Sequence, residues 1–178
     1  MTQLRTPIGP DDHVSGPRDG PVQLVEYGDF ECPSCGAAFP EVEHVRRALE
    51  GRLSFAFRHF PLSQVHPHAA LAAEAAEAAA AQGRFWEMHR LLFENQEALD
   101  PDALVSYAEA LGLDVDRFRT DLDERRHRQK VRRQFLDGAR SGVNGTPTFF
   151  VNGQRHDGPF DADSLLEALG GGSSHRAY

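Results

Sequence analysis

Apolar positions change their period along the chain, and the changes mark its elements. In Val22 to Tyr27 (VQLVEY), bounded by Pro21 and Gly28, apolar side chains fall on both parities. This predicts a short strand covered on both faces. From Pro33 to Glu50 the apolar residues Phe39, Val42, Val45, Ala48 and Leu49 recur at helical spacing, and Gly51 supplies the stop. Leu53 to Phe57 (LSFAF) reads as a second strand. Strand, helix and strand in so short a stretch form a βαβ unit with parallel strands.

Between Pro67 and Gly142 the pattern is helical only. An Ala-rich helix ends at Gly83, and a second runs from Arg84 to about Asn95 with Phe85, Trp86, Leu91, Leu92 and Phe93. A third runs from Pro101 to Leu111, with Asp100 as N-cap and Gly112 as the stop, and one or two more fill Val115 to Ala139. Strands then return. Thr148–Val151, Asn152-Gly153 and Gln154–His156 predict a hairpin, because Asn-Gly tolerates the positive φ of a type I′ turn. A last helix is expected from Asp161 to Leu169. The expected architecture is α/β: a βαβ half (21–64) and a ββα half (141–170) share one sheet, and a helical insertion (65–140) sits between them. Residues 1–20 and 171–178 are expected to be a flexible lead-in and tail.

Composition narrows the function more than the fold. The 178 residues carry 19 Lys and Arg against 27 Asp and Glu, a formal charge of −8, which argues against a nucleic-acid or anionic-membrane binder. The opening residues have no apolar run that could serve as a signal-peptide core, and Glu74 and Glu77 interrupt the stretch Ala69–Ala81. A cytosolic protein with no membrane contact is therefore expected. Two cysteines, only three positions apart, exclude a disulfide scaffold of the small secreted type.

That pair carries the chemistry. Phe30-Glu31-Cys32-Pro33-Ser34-Cys35-Gly36 lies where a strand hands over to a helix. With Cys32 at the N-cap and Pro33 at the first helical position, the Cys32 sulfur faces free amides and the positive end of the helix dipole, so its thiolate is favoured. Cys35, one turn inside, is placed to close a small disulfide and to resolve a mixed one. Glu26 falls within the doubly covered strand, where a carboxylate needs a reason. It is either a proton acceptor for Cys35 or a strand-end residue reaching solvent. Arg58 is a candidate partner for Glu26, or a solvated strand-end charge. Thr146-Pro147, after Gly145 and before a strand, suits a constrained turn. A cis peptide is an option there, although trans is the commoner state of such bonds.

The element order, the C-P-S-C at the first helix and the T-P before the third strand resemble the thioredoxin fold. With the all-helical insertion the chain is similar to the DsbA-like thiol-disulfide oxidoreductases. FRHFPL at 57–62, His66-Pro67-His68-Ala69 and Phe85-Trp86-Glu87-Met88-His89 extend the likeness. The resemblance implies that Cys32 is the nucleophile, Cys35 the resolving thiol and Glu26 a buried acid beneath them. It implies that Pro147 is a cis-proline facing the dithiol and that the Thr146 backbone pairs with substrate, beside Pro33 and Ser34. It also implies protein thiols and disulfides as substrates, a redox partner of the thioredoxin or glutathione type, and no cofactor. Two departures matter: no export signal is visible, and Pro33-Ser34 replaces the His that strongly oxidising members carry between their cysteines. Asp29 and Glu31 should oppose the thiolate, so a reductase or isomerase is expected in place of a strong oxidant.

Other readings stay open beside this one. A structural zinc site would need two of His59, His66, His68 and His89. The basic run from Arg125 to Arg133 reads as a solvated helix face. Phe85, Trp86, Phe93 and Phe118 read as the core of the insertion. The competing function classes are a non-catalytic thioredoxin-fold redox sensor and a glutathione-dependent transferase or isomerase; the intact C-x-x-C counts against the latter.

Overall fold

The computed structural model describes residues 2–170. Five strands, β1 (Val14–Ser15), β2 (Val22–Gly28), β3 (Leu53–His59), β4 (Thr148–Val151) and β5 (Gln154–His156), form one sheet in the order β1-β3-β2-β4-β5. β2 and β3 run parallel, as the βαβ reading requires, and the other pairings are antiparallel. The hairpin turns through Asn152 (φ 48°) and Gly153 (φ 83°), the two positive dihedrals that a type I′ turn demands. The helices are α1 (Pro33–Ala48), α2 (Ala69–Ala80), α3 (Phe85–Glu94), α4 (Pro101–Ala110), α5 (Val115–Asp123), α6 (Arg128–Arg140) and α7 (Ala162–Ala168). α2 to α6 make up the insertion.

Both faces of the sheet are covered. Leu24, Phe55, Phe57 and Phe149 pack on one side with α1 and the inward faces of the insertion. Val25, Tyr27, Ala56 and Phe150 pack on the other with Phe60, Val143 and Phe135 of α6. Phe85, Phe93 and Phe118 are buried and Trp86 is half-buried against them, as the sequence led us to expect. The alanines of α2 leave little side-chain bulk, so α3, α4, α5 and α6 all pack on this one helix.

Two expectations need correction, and a third holds in position only. Residues 2–20 are no loose lead-in: β1 pairs with β3, Leu4 and Ile8 pack on the second core, and Asp12 is buried. A few strategically placed side chains tie this segment down despite its polar composition. The basic run is likewise more than a solvated face. Arg125, at φ 53°, ends the turn after α5 and grips Glu74 with two nitrogens, and Lys130 pairs with Glu77 at 2.9 Å. The two glutamates that interrupt α2 are therefore buried ion-pair partners. Finally, Asp100 stands at the N-cap of α4, but its side chain makes no capping bond, whereas Asp114 and Asp161 do cap α5 and α7. The expected tail 171–178 lies outside the described residues.

Candidate active site

Cys32 is the N-cap of α1, with extended backbone (φ −72°, ψ 123°), and Pro33 takes the first helical position. Proline suits that position because its missing N–H would have no intrahelical acceptor. Cys32 keeps a sliver of surface (7% exposed) while Cys35 keeps none (0%). Only the first sulfur can meet an incoming disulfide. The Cys35 thiol donates to the Cys32 sulfur, and with the Thr146 side chain and the amides of Cys35 and Ser34 it outweighs burial, bringing the Cys32 thiol from 9.0 down to about 5. Burial pushes the Cys35 thiol well above its ordinary value, and its bond to Cys32 and the nearby Glu26 charge push it further. One sulfur is thus an anion at neutral pH and its neighbour a thiol.

Glu26 lies in the middle of β2, opposite Phe57 and Phe149 in the flanking strands. Burial, helped by the Cys32 charge, raises its carboxyl from 4.5 to about 8. Among the described residues it has no hydrogen-bond or ion-pair partner. Gly28 leaves room beside it: a Cβ there would stand 2.5 Å from the Phe57 ring and 3.0 Å from Glu26 Oε2. The strand-end, solvent-reaching alternative for Glu26 therefore fails.

Arg58 is not its partner. Arg58 pairs in register with Tyr27, so alternation puts its side chain on the opposite face of the sheet from Glu26. There it is buried, with Nε and Nη2 donating to Asp12 (2.8 and 2.9 Å) and Nη1 donating to Tyr27 Oη (2.9 Å). Both sequence readings of this arginine are overturned.

Across from the dithiol, the Thr146–Pro147 peptide is cis, and Cys32 Sγ lies 3.5 Å from the Thr146 carbonyl, to which it can donate only when protonated. Pro33 and Ser34 are exposed beside them. Cys32, Cys35, Thr146 and Pro147 thus gather at one end of the sheet with Glu26 close to the two sulfurs within β2, and Arg58 lies on the other face.

The carboxylates expected to oppose the thiolate are engaged by other groups. Asp29 accepts from the amides of Glu31 (2.7 Å) and Leu62 (2.9 Å) and bonds His66 Nδ1 (2.8 Å). Glu31 is held by the His68 amide and its Nδ1, both at 2.8 Å. Burial disfavours the His66 cation, but Asp29, the Cys32 charge and Glu31 outweigh it, and the imidazole is raised above 6.5. Two of the histidines considered as zinc ligands thus hydrogen-bond these acids instead. His59 bonds Glu77 at 2.8 Å, and His89 is buried among Phe30, Phe57 and Phe93. Among the described residues no group of three or more His, Cys, Asp or Glu could hold a metal ion.

Gln96 escaped the sequence reading. From the loop after α3, its amide donates to the carbonyls of Phe30 (2.9 Å) and Cys32 (2.8 Å), clamping the residues that lead into α1. A Cβ at Gly36 would stand 2.1 Å from Gln96 Oε1. The glycine after the second cysteine was the one available hint that something approaches closely there.

Comparison with known proteins agrees with this fold. Residues 9–170 match the family described as Thioredoxin. The chain is 51% identical over 170 residues to Na(+)/H(+) antiporter NhaA 3 of Salinispora tropica, covering 95% of this chain and 26% of that protein. It spans about a quarter of the length of the curated relatives it matches. Among the described residues no helix is long and apolar enough to cross a membrane. Among solved structures, a thioredoxin-like oxidoreductase from Silicibacter pomeroyi DSS-3 superposes with a TM-score of 0.81 at 25% identity, covering 96% of this chain and 95% of that one. α-DsbA1 of Wolbachia pipientis shares the fold (TM-score 0.79, 19% identity, 94% of this chain and 95% of that one). The chain belongs to the thioredoxin family and shares its fold, helical insertion included, with DsbA-like structures.

Proposed function

We propose that the chain is a thiol-disulfide oxidoreductase acting on protein substrates, with Cys32 as nucleophile and Cys35 as resolving thiol. The observation that carries this reading is the asymmetry of the pair: Cys32 is held near pKa 5 at the edge of the surface, and Cys35 stays protonated beneath it. A substrate thiolate attacks Cys32 Sγ of the oxidised pair, forms a mixed disulfide, and expels Cys35 as a thiolate. Glu26, protonated for the most part at pH 7, supplies the proton that Cys35 takes up. A second thiolate on the substrate then attacks its own sulfur in the mixed disulfide and releases Cys32 as the stabilised anion. The substrate is oxidised to a disulfide and the enzyme reduced to the dithiol. In reverse, ionised Glu26 accepts the Cys35 proton. The carbonyl of Thr146, beside Pro147, is an acceptor for an extended substrate segment, with Pro33 and Ser34 along the same edge.

Stabilising the leaving thiolate weakens the enzyme's own disulfide. With the Cys32 thiolate so favoured, the couple belongs on the oxidising side of thioredoxin, away from the reductase direction that Pro33-Ser34, Asp29 and Glu31 suggested. Equilibration with glutathione buffers tests this, with an expected potential between about −270 and about −120 mV. A value at or below the thioredoxin end would reject it. Trapping partners with Cys35→Ala is expected to give mixed disulfides on Cys32 with polypeptides.

A second reading, a redox sensor that switches an attached protein, is favoured by the longer relatives named as antiporters. Insulin reduction separates the two, since turnover supports the enzyme and a single stoichiometric reaction supports the sensor.

A further inference from the structure

A groove of about 670 Å³ opens between the loop Pro61–Val65 and one side of α6. Its lining is mainly apolar, with Leu62, Val65, Val131, Phe135 and Leu136. Val65 (71% exposed) and Leu136 (41%) are the two large hydrophobic side chains that the described residues leave exposed, and both line this groove. Scattered exposed apolar residues call for no explanation, but a pair converging on one concavity marks a contact surface.

The rim is basic. Arg128 and Arg132 stand one turn apart on α6, and among the described residues neither side chain has an ion-pair or hydrogen-bond partner. Arg125 beside them is already gripped by Glu74. Two free guanidinium groups over an apolar floor form a local inversion of a chain whose net charge is −8. Such a surface selects an occupant that brings carboxylates to the rim and apolar side chains to the floor.

Hydrogen bonds link the groove to the dithiol. In its wall the Leu62 amide donates to Asp29, and His66, just past the wall, bonds the same carboxylate. The Asp29 carbonyl in turn accepts from the Cys32 amide at 3.1 Å. We infer that this groove docks an acidic amphipathic segment of a partner protein, holding that partner beside Cys32. The inference rests on the oxidoreductase reading for its purpose, although the groove exists independently of it.

The test uses a fluorescein-labelled, cysteine-free amphipathic peptide of Leu and Glu, with glutamates at i and i+4, and a matching peptide with Lys for Glu. Binding is read by anisotropy. The acidic peptide is expected to bind the wild-type chain and to weaken at least about tenfold in Arg128→Glu/Arg132→Glu, and again between about 50 and about 500 mM salt. Val65→Ser/Leu136→Ser should weaken it too, without the change in salt response. All four positions are solvent-facing, and circular dichroism checks that each variant folds. Equal binding of the Lys peptide, indifference to the arginine reversals, or no binding by wild type overturns the inference. So would a concentration-dependent dimer that the arginine reversals dissolve, because the occupant would then be a second copy. Insulin turnover by the same samples is a separate readout. If the peptide binds and turnover is absent, the redox reading fails and the dock stands; if turnover is intact without binding, the reverse holds.

Discussion

Two ionisable side chains are buried on opposite faces of the same pair of parallel strands, and they are treated in opposite ways. Arg58 on β3 is saturated: two nitrogens on Asp12, a third on Tyr27, and the same guanidinium near the Tyr27 ring face. Glu26 on β2 is left unpaired among Phe57, Phe149 and the two sulfurs, and burial keeps it neutral through much of the physiological range. A charge supplied with partners is fixed; a carboxyl denied them can change its state. The Arg58 side of the sheet is built for permanence, and the Glu26 side is built to exchange a proton.

This contrast can be broken at several points. The largest effect is expected from Cys32→Ser, which removes the attacking sulfur and should abolish insulin turnover while the fold persists; residual turnover above background would move the chemistry elsewhere. Next, Asp12→Ala leaves Arg58 charged and buried, and should cost about 3 kcal/mol or more in urea unfolding. On our reading it leaves the Cys32 titration unchanged, and a shift there would mean that the two faces communicate.

Glu26→Gln should act in the other direction on stability. A carboxyl raised from 4.5 to about 8 penalises the folded state once the unfolded chain begins to ionise. The gain from Gln should therefore be absent below about pH 4, grow between 4.5 and 8, and plateau above at a few kcal/mol. The same variant should slow the step in which Cys35 gains or loses its proton. Cys32 has the opposite sign. Its depressed pKa stabilises the folded dithiol form fully above pH 9, and that contribution is lost as pH falls through about 5. The stability difference between the dithiol form and Cys32→Ser should shrink along that range, as followed by thermal unfolding. The smallest effect belongs to Gln96→Ala, which frees the carbonyls of Phe30 and Cys32 and should raise the Cys32 pKa by about one unit or less. Absorbance at the thiolate band reads it. Gly36→Ala should shift it similarly, because the methyl displaces Gln96, and should add little in the Gln96→Ala background.

The same contrast shows which features were legible in the sequence. Four of the five strands, the start and stop of α1 and the hairpin turn were readable because periodicity, Pro33, Gly51 and Asn152-Gly153 are local signals. The N-cap position of Cys32 followed from the proline beside it. Glu26 stood out because its strand was apolar on both parities, but whether it was paired depended on a neighbour far along the chain. Arg58 was misread for that reason: its partner Asp12 lies in a segment with no periodicity, and the parity that separates it from Glu26 needs the β2–β3 register. Asp29 and Glu31 were read by charge alone, and their hydrogen bonds to His66 and His68, noted only as a helix entry, needed the fold to be seen. Gln96 reaches the site across a long sequence separation. No spacing rule announces such a contact.

The first residues of the chain have a practical consequence. His13 shares Glu77 with His59, the Asp11 carbonyl accepts from Lys130, and Asp12 holds Arg58. A recombinant version begun at Pro21, a natural choice for anyone who takes the preceding stretch for a dispensable leader, would strip the counterion from a deeply seated guanidinium and loosen the seam between sheet and insertion. Its poor yield could be mistaken for an intrinsic weakness of the domain when the fault lay in the trimming.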